Sequence, residues 1–275
     1  MGPLGIVVAV ASGAALLSWI ASLVTRDTSW VDRLWSIVPV VYVWVFAGAA
    51  HLADARLDVM AGVVTLWGAR LTFNFARRGG YRGVEDYRWA VLRESMSGPA
   101  FALFNIVFIS LYQNLLLVLI TLPALSAYQH RGRGGYGVVD LALAALFIAC
   151  TVGETVADQQ QWSFQERKRR LRERGVVPAE NFLQTGLFAY SRHPNYFFEL
   201  AQWWLFLAMG VAAAGTVDAW TLAGPVLLSA LFVGSTRFTE SISRSRYPEY
   251  ERYQRRVPAI VPRPRRPTAP VLADD

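Results

Sequence analysis

The chain is poor in the residues that build metal centres and covalent frameworks. Cysteine occurs once, at Cys150, so no internal disulfide can form. Histidine occurs three times, at His51, His130 and His193, far apart in sequence. No Cys/His cluster with zinc-ligand spacing results, and no structural metal is expected. Neither a Walker loop nor a Gly-x-Gly-x-x-Gly fingerprint is present, so a nucleotide would not sit on a P-loop or a Rossmann sheet. Nothing repeats at the period of a solenoid or propeller. The longest gap is in charge: from Ser95 to His130 there is no Asp, Glu, Lys or Arg.

What fills the chain instead is apolar. Of 275 residues, 54% are hydrophobic and ten are tryptophan, and the apolar residues come in long blocks. That is the signature of an all-α polytopic membrane protein. Seven spans are expected, near residues 4–24, 35–53, 57–76, 101–123, 138–157, 197–215 and 219–236. The first has no basic residue ahead of it and reads as a permanent span, not a cleaved signal. Residues 1–262 are expected to form one transmembrane domain, and the Pro- and Arg-rich tail 263–275 a disordered cytoplasmic end. Cys150 falls inside a span as a small packing residue.

The net charge of +7 would suit nucleic acid, but the positions of the 27 basic residues argue against that partner. Loops 25–34, 77–100 and 158–196 and the chain from 237 carry 2, 5, 7 and 9 Lys+Arg, whereas the opposite loops carry only Arg56, Arg131 and Arg133. This asymmetry predicts an N-out, C-in protein with seven helices. The run Gln165 to Arg174 suits a solvated helix face or a contact with anionic lipid.

Residues Gly186 to Glu199 hold the most informative polar constellation. Pro194 is pre-set for a first helical position, so a helix is expected to open there. The amides of Asn195, Tyr196 and Phe197 would then lack partners and, with Arg192 and His193, favour an anion. Glu199 follows Asn195 by four, and Gln202 and Trp203 extend that face. The plainer alternative makes Arg192 and His193 headgroup anchors. Within Trp67 to Tyr81, Arg70, Asn74 and Arg77 or Arg78 lie at helical spacing and end in a Gly-Gly expected to be flexible. Such a ladder suits a polyanion, or in the case of Arg77 and Arg78 merely fixes topology. Glu154 and Asp158 suit an ion pair with Arg70 or a ribose or amide ligand. Asp32 stands ahead of the second span, where an ordinary interfacial carboxylate would also sit. Tyr250 and Tyr253 can meet on one helix face, as a lid over a nucleotide or as an interfacial helix.

Arg192-His193-Pro194-Asn195-Tyr196 followed by Glu199, together with Tyr247-Pro-Glu-Tyr250-x-x-Tyr253-x-x-Arg256-Val-Pro258, resembles the steroid 5-alpha-reductase superfamily, which includes sterol C=C reductases. Trp67-Gly-Ala-Arg70-Leu-Thr-Phe-Asn74 and Arg77-Arg78-Gly-Gly-Tyr81 are similar to its bacterial branch, and the likeness runs over about residues 28–262. It implies a seven-helix protein with NADPH in a cavity open to the cytoplasm, reducing an activated C=C bond in a lipid drawn from the bilayer. It further implies cofactor contacts at Arg70, Asn74, Arg78, Asp158, Arg192, His193, Asn195, Tyr196, Tyr250 and Tyr253. Glu199 would hold the nicotinamide end and Asp32 would polarise a substrate carbonyl. Trp67 replaces a substrate-facing tyrosine and Phe198 a glycine, which puts a 3-keto steroid in doubt. Membrane methyltransferases of the isoprenylcysteine or phospholipid type share Arg-His-Pro-x-Tyr and bind S-adenosylmethionine with an acidic pair. Here that pair is reduced to Thr239-Glu240. A non-enzymatic lipid-binding or scaffold protein is the third reading.

Overall fold

In the computed structural model the described residues are 1–264, and their regular structure is helical throughout. Residues 265–275, most of the expected tail, lie outside the described residues. Seven helical stretches are long and apolar enough to cross a membrane: Pro3–Thr25, Trp30–Ala49, Ala55–Arg77, Gly98–Gln129, Val138–Glu173, Pro194–Ala214 and Ala219–Arg246. They match the seven expected spans, and the protein is an integral membrane protein on this count.

The helices are α1 (Pro3–Thr25), α2 (Trp30–Trp35), α3 (Val38–Ala49), α4 (Ala55–Arg77), α5 (Tyr87–Ser95), α6 (Gly98–Phe104), α7 (Gln113–Gln129), α8 (Val138–Glu173), α9 (Pro194–Ala214), α10 (Ala223–Arg246) and α11 (Tyr250–Arg256). A π-helical segment, Asn105–Tyr112, joins α6 to α7 without a break. Local chemistry sets the boundaries. The Asp54 carboxylate accepts from the amides of Arg56 and Leu57 and starts α4, and Asp86 caps α5 through the Arg88 amide. α8 runs well past the expected end of its span. Its basic extension consists of good helix formers and carries Glu166–Arg169 and Arg169–Glu173 pairs at helical spacing.

Two compact units are distinguishable, one comprising Met1–Thr151 and Ala201–Ser229, the other Val152–Leu200 and the chain from Ala230 on. The core of the first is built from large buried side chains and close backbone approaches. Trp67 and Trp203 meet edge to face at 4.9 Å, and Phe206 packs on Trp203 and Phe147. A Cβ on Gly224 would lie 2.3 Å from the Leu119 carbonyl oxygen, and one on Gly210 would lie 2.8 Å from Pro123. Small residues at such crossings let apolar helices reach packing distance, which in a bilayer supplies much of the association energy.

In the second unit Gly153 faces the Phe198 ring, where a Cβ would come within 2.5 Å. The phenylalanine that departs from the reductase pattern therefore fills the space left by this glycine. Phe182, Tyr247, Tyr250, Tyr253 and Val257 form a separate apolar cluster.

Candidate functional site

The second unit is organised around one carboxylate. Glu240 of α10, 5% exposed, accepts from Arg192 Nε at 2.5 Å and Nη2 at 2.8 Å, and from Gln254 at 2.7 Å. The His193 ring nitrogen lies 3.0 Å from it, and the Tyr250 hydroxyl reaches it at 3.5 Å. The remaining face of Arg192 donates to the carbonyls of Gln254 and Val257. This is a bidentate buried pair whose other hydrogen-bonding capacity is met by further side chains and backbone carbonyls, the arrangement in which a buried ion pair is tolerated. Burial, and then the Glu240 charge, raise the Tyr250 phenol above its ordinary pKa, so it remains a neutral O–H donor.

The backbone repeats the closure. Arg192 and His193 donate their amides to the carbonyls of Pro258 and Ala259, and Arg263 donates back to Tyr190. The Ser191 hydroxyl reaches the carbonyls of Ala259 and Ile260. The segment after α11 is thereby laced to the entry of α9, which begins at Pro194 as expected. The Phe197 amide is spent on the His193 carbonyl, the first bond of the helix. This corrects the expectation of three open amides: a proline opens the helix, its preceding carbonyl accepts from Phe197, and only Asn195 and Tyr196 keep first-turn amides.

The same unit buries further polar groups. Glu154, Asp158 and Glu199 are each 4% exposed. The hydroxyls of Thr236 and Thr239, on the same helix as Glu240, are buried and make no hydrogen bond among the described residues. Tyr196 stacks on His193 at 5.2 Å and meets Phe232 edge-on. Asn195 is half-buried. Tyr250 and Tyr253 do share a face, 5.7 Å apart, but the face is turned inward onto Phe182, and the Tyr253 hydroxyl donates to the Phe188 carbonyl at 2.5 Å.

In the first unit, Arg70, Asn74 and Arg77 do lie along one side of α4. Asn74 is buried and accepts from Arg77 Nε at 2.9 Å, whereas Arg78 is exposed. Nε and Nη2 of Arg70 are shielded from solvent. The Gly-Gly that follows is not a flexible joint. Gly79 has φ +87°, and the buried Gly80 sits on the Phe75 ring, where a Cβ would lie 2.3 Å away. Its carbonyl accepts from Arg33, and Tyr81 donates to the Arg33 carbonyl. Both glycines are needed for conformation and close approach. Asp32, on α2, accepts from the Trp89 indole N–H at 2.9 Å beside the apolar cluster of Val31, Trp89 and Ile109.

A family model described as a protein of unknown function (DUF1295) matches residues 18–257. The chain belongs to that family. It is also 38% identical over 259 residues to an uncharacterized protein of Schizosaccharomyces pombe, an alignment covering 89% of this chain and 75% of the yeast one. No solved structure matches.

Sequence reasoning passed over two features of this DUF1295 chain. Glu240 entered only as the remnant of an acidic pair, although it gathers Arg192, His193, Tyr250 and Gln254. The uncharged stretch from Ser95 to His130 was read only as a span, yet Asn105, Ser110, Gln113 and Asn114 are buried in it. Three amides and a hydroxyl in a charge-free apolar run were the available signal.

Proposed function

We propose that the protein is an NADPH-dependent membrane reductase of an activated C=C bond in a lipid. The observation that carries the reading is the engagement of Glu240. A methyltransferase must bring negative charge to a sulfonium, and the one acid left from that group's pair is neutralised by Arg192 and enclosed by His193, Tyr250 and Gln254. Glu199 is a separate buried carboxylate, at the place the reductase pattern gives it. The residues present fit a dinucleotide: the carboxylates of Glu154, Asp158 and Glu199 suit ribose hydroxyls and a carboxamide, and the hydroxyls of Thr236 and Thr239 await partners. The resemblance gives the recognition of the phosphates to Arg70, Asn74 and Arg78.

The cofactor would supply a hydride to the electron-poor carbon of the alkene. Asp32, held by Trp89, would donate a proton or hydrogen bond to the developing enolate oxygen, for which it must be in its acid form. Arg192 and His193, being committed to Glu240, position the opening of α9 and are not primary ligands. The proposed orientation is N-out and C-in, with the cofactor reached from the cytoplasm of a bacterial-type plasma membrane.

Thermal shift of the detergent-purified protein separates the readings, since a ligand of the folded state raises the Tm by mass action. The expected result is a rise with NADPH, smaller with NADH, and lost in Arg70→Ala and Asn195→Ala. A rise with S-adenosylmethionine alone would replace the reductase by the methyltransferase.

A further inference from the structure

The longest uncharged stretch of the chain, Ser95 to His130, contains a strip of polar groups with no assigned task. Asn105, Ser110 and Asn114 are 4%, 1% and 1% exposed. Asn105 and Ser110 are five residues apart within the π-helical segment Asn105–Tyr112, and Asn114 follows four further on. In an α-helix five residues turn through about 500°, which would set Asn105 and Ser110 about 140° apart. The wider turn of the π-helix, with its i→i+5 hydrogen bonds, brings them much closer to one face. The irregular segment, a type of distortion common at functional sites, is therefore what aligns the strip.

The remaining capacity of the strip is chemically specific. The Asn105 amide nitrogen donates to Ser22 Oγ of α1 at 2.9 Å, and Ser22 in turn donates to the Trp19 carbonyl. The Asn114 amide nitrogen donates to the Ser110 carbonyl at 2.8 Å. Both asparagines have thus used a donor and retain their carbonyl oxygens, which, with the Ser110 hydroxyl, meet no partner among the described residues. Two of the three atoms can only accept. A phosphate or a ketone would face like acceptors, and an ammonium would find no counter-charge in a span without carboxylates. A neutral hydroxyl fits the Ser110–Asn114 end of the strip, where it can donate to the Asn114 oxygen and accept from the Ser110 hydroxyl.

We propose that this strip, facing α1, binds the hydroxyl group of a lipid within the bilayer. Leu103, Val107, Leu111 and Leu115 form an exposed row at four-residue spacing on the same stretch, and Leu16, Leu17, Ile20 and Leu23 are exposed on α1. The strip is thus flanked by surfaces that suit an acyl or isoprenoid body. The oxygens are fully enclosed in this structure, so occupancy requires α1 to part from the π-helical segment. The inference is independent of the reductase reading, because none of these residues is assigned to the cofactor.

The test uses the full-length protein in nanodiscs with a diazirine-bearing long-chain alcohol, its methyl ether and the corresponding ketone. The alcohol is expected to label peptides within 3–25 and 98–129 and to raise the Tm, while the ether and ketone do neither. Asn114→Leu is expected to weaken the alcohol about tenfold, the loss of one hydrogen bond of about 1.4 kcal/mol. Any NADPH-induced shift should remain intact. Ser110→Ala serves the same purpose if Asn114→Leu does not fold. Equal labelling by alcohol and ether, or alcohol binding unchanged in the variants, would overturn the proposal and leave the strip as one satisfied by water alone.

Discussion

Asn114 and Glu240 are 1% and 5% exposed, yet they are treated in opposite ways. Around Asn114 in the first unit, uncharged polar groups are buried with oxygens left over. Around Glu240 in the second unit, a full charge is buried and met by an arginine, a glutamine, a histidine and a tyrosine. The difference follows from magnitudes. An unmet amide oxygen costs about 1–3 kcal/mol, which a packed helix pair can carry, whereas an unpaired buried ion costs several times more. A region that leaves small polar groups under-bonded can exchange partners. One that closes a charge into a network is fixed in shape.

The comparison breaks most sharply at Glu240. Glu240→Ala leaves Arg192 and His193 without their common acceptor and unlaces the segment after α11 from the entry of α9. Losing one member of a buried pair destabilises by about 3–5 kcal/mol. The expected outcome is a large drop in Tm in detergent, with proteolysis first appearing in residues 247–264. A double variant, Glu240→Gln with Arg192→Gln, should recover part of the loss. Glu240→Ala melting like the parent protein would show that the clamp is peripheral.

Asn114→Leu probes the other side. Removing a buried oxygen that has no partner also removes its desolvation penalty, so stability should change by less than about 1 kcal/mol, in either direction. Chemical denaturation of the two variants side by side measures the contrast directly. A loss from Asn114→Leu as large as that from Glu240→Ala would mean that the strip is structural cement.

Much of this architecture was legible in the residues. Long apolar blocks gave all seven spans, and Pro194 gave the start of α9, because span length and the missing N–H of proline are local constraints. Tyr250 and Tyr253 meet because a three-residue spacing guarantees it on a helix. Which way that face turns depends on Phe182, about 70 residues earlier, and no local rule carries such information. Gly79 and Gly80 read as loose, but φ +87° at the first and the Phe75 ring against the second make them rigid. Glu240 was underrated for a similar reason: its partners are Arg192 and His193, nearly fifty residues earlier and just ahead of α9, and Tyr250 and Gln254 of α11. Asn105 and Ser110 fall on different faces under an α-helical period, and only the π-helical segment aligns them.

The smallest expected effect lies in the loop chemistry of the first unit, at Glu85. Its carboxylate accepts from the Thr28 amide at 2.8 Å, the Thr28 hydroxyl at 2.7 Å and Arg93 at 2.6 Å. Burial pushes its pKa up, but the bonds from Arg93 and Thr28 outweigh burial and hold it below the ordinary value of 4.5. A carboxylate depressed in the folded state stabilises the fold above its unfolded pKa, and that contribution disappears as pH falls through the folded value. Because Arg93 is partly exposed, solvent screening limits the effect to a few tenths of a kcal/mol, up to about 1 kcal/mol. Tm should therefore decline as pH is lowered from about 5, and Glu85→Gln should flatten part of that decline while lowering the Tm slightly at neutral pH. If the variant reproduces the parent's acid limb in full, the acid sensitivity belongs to other carboxylates.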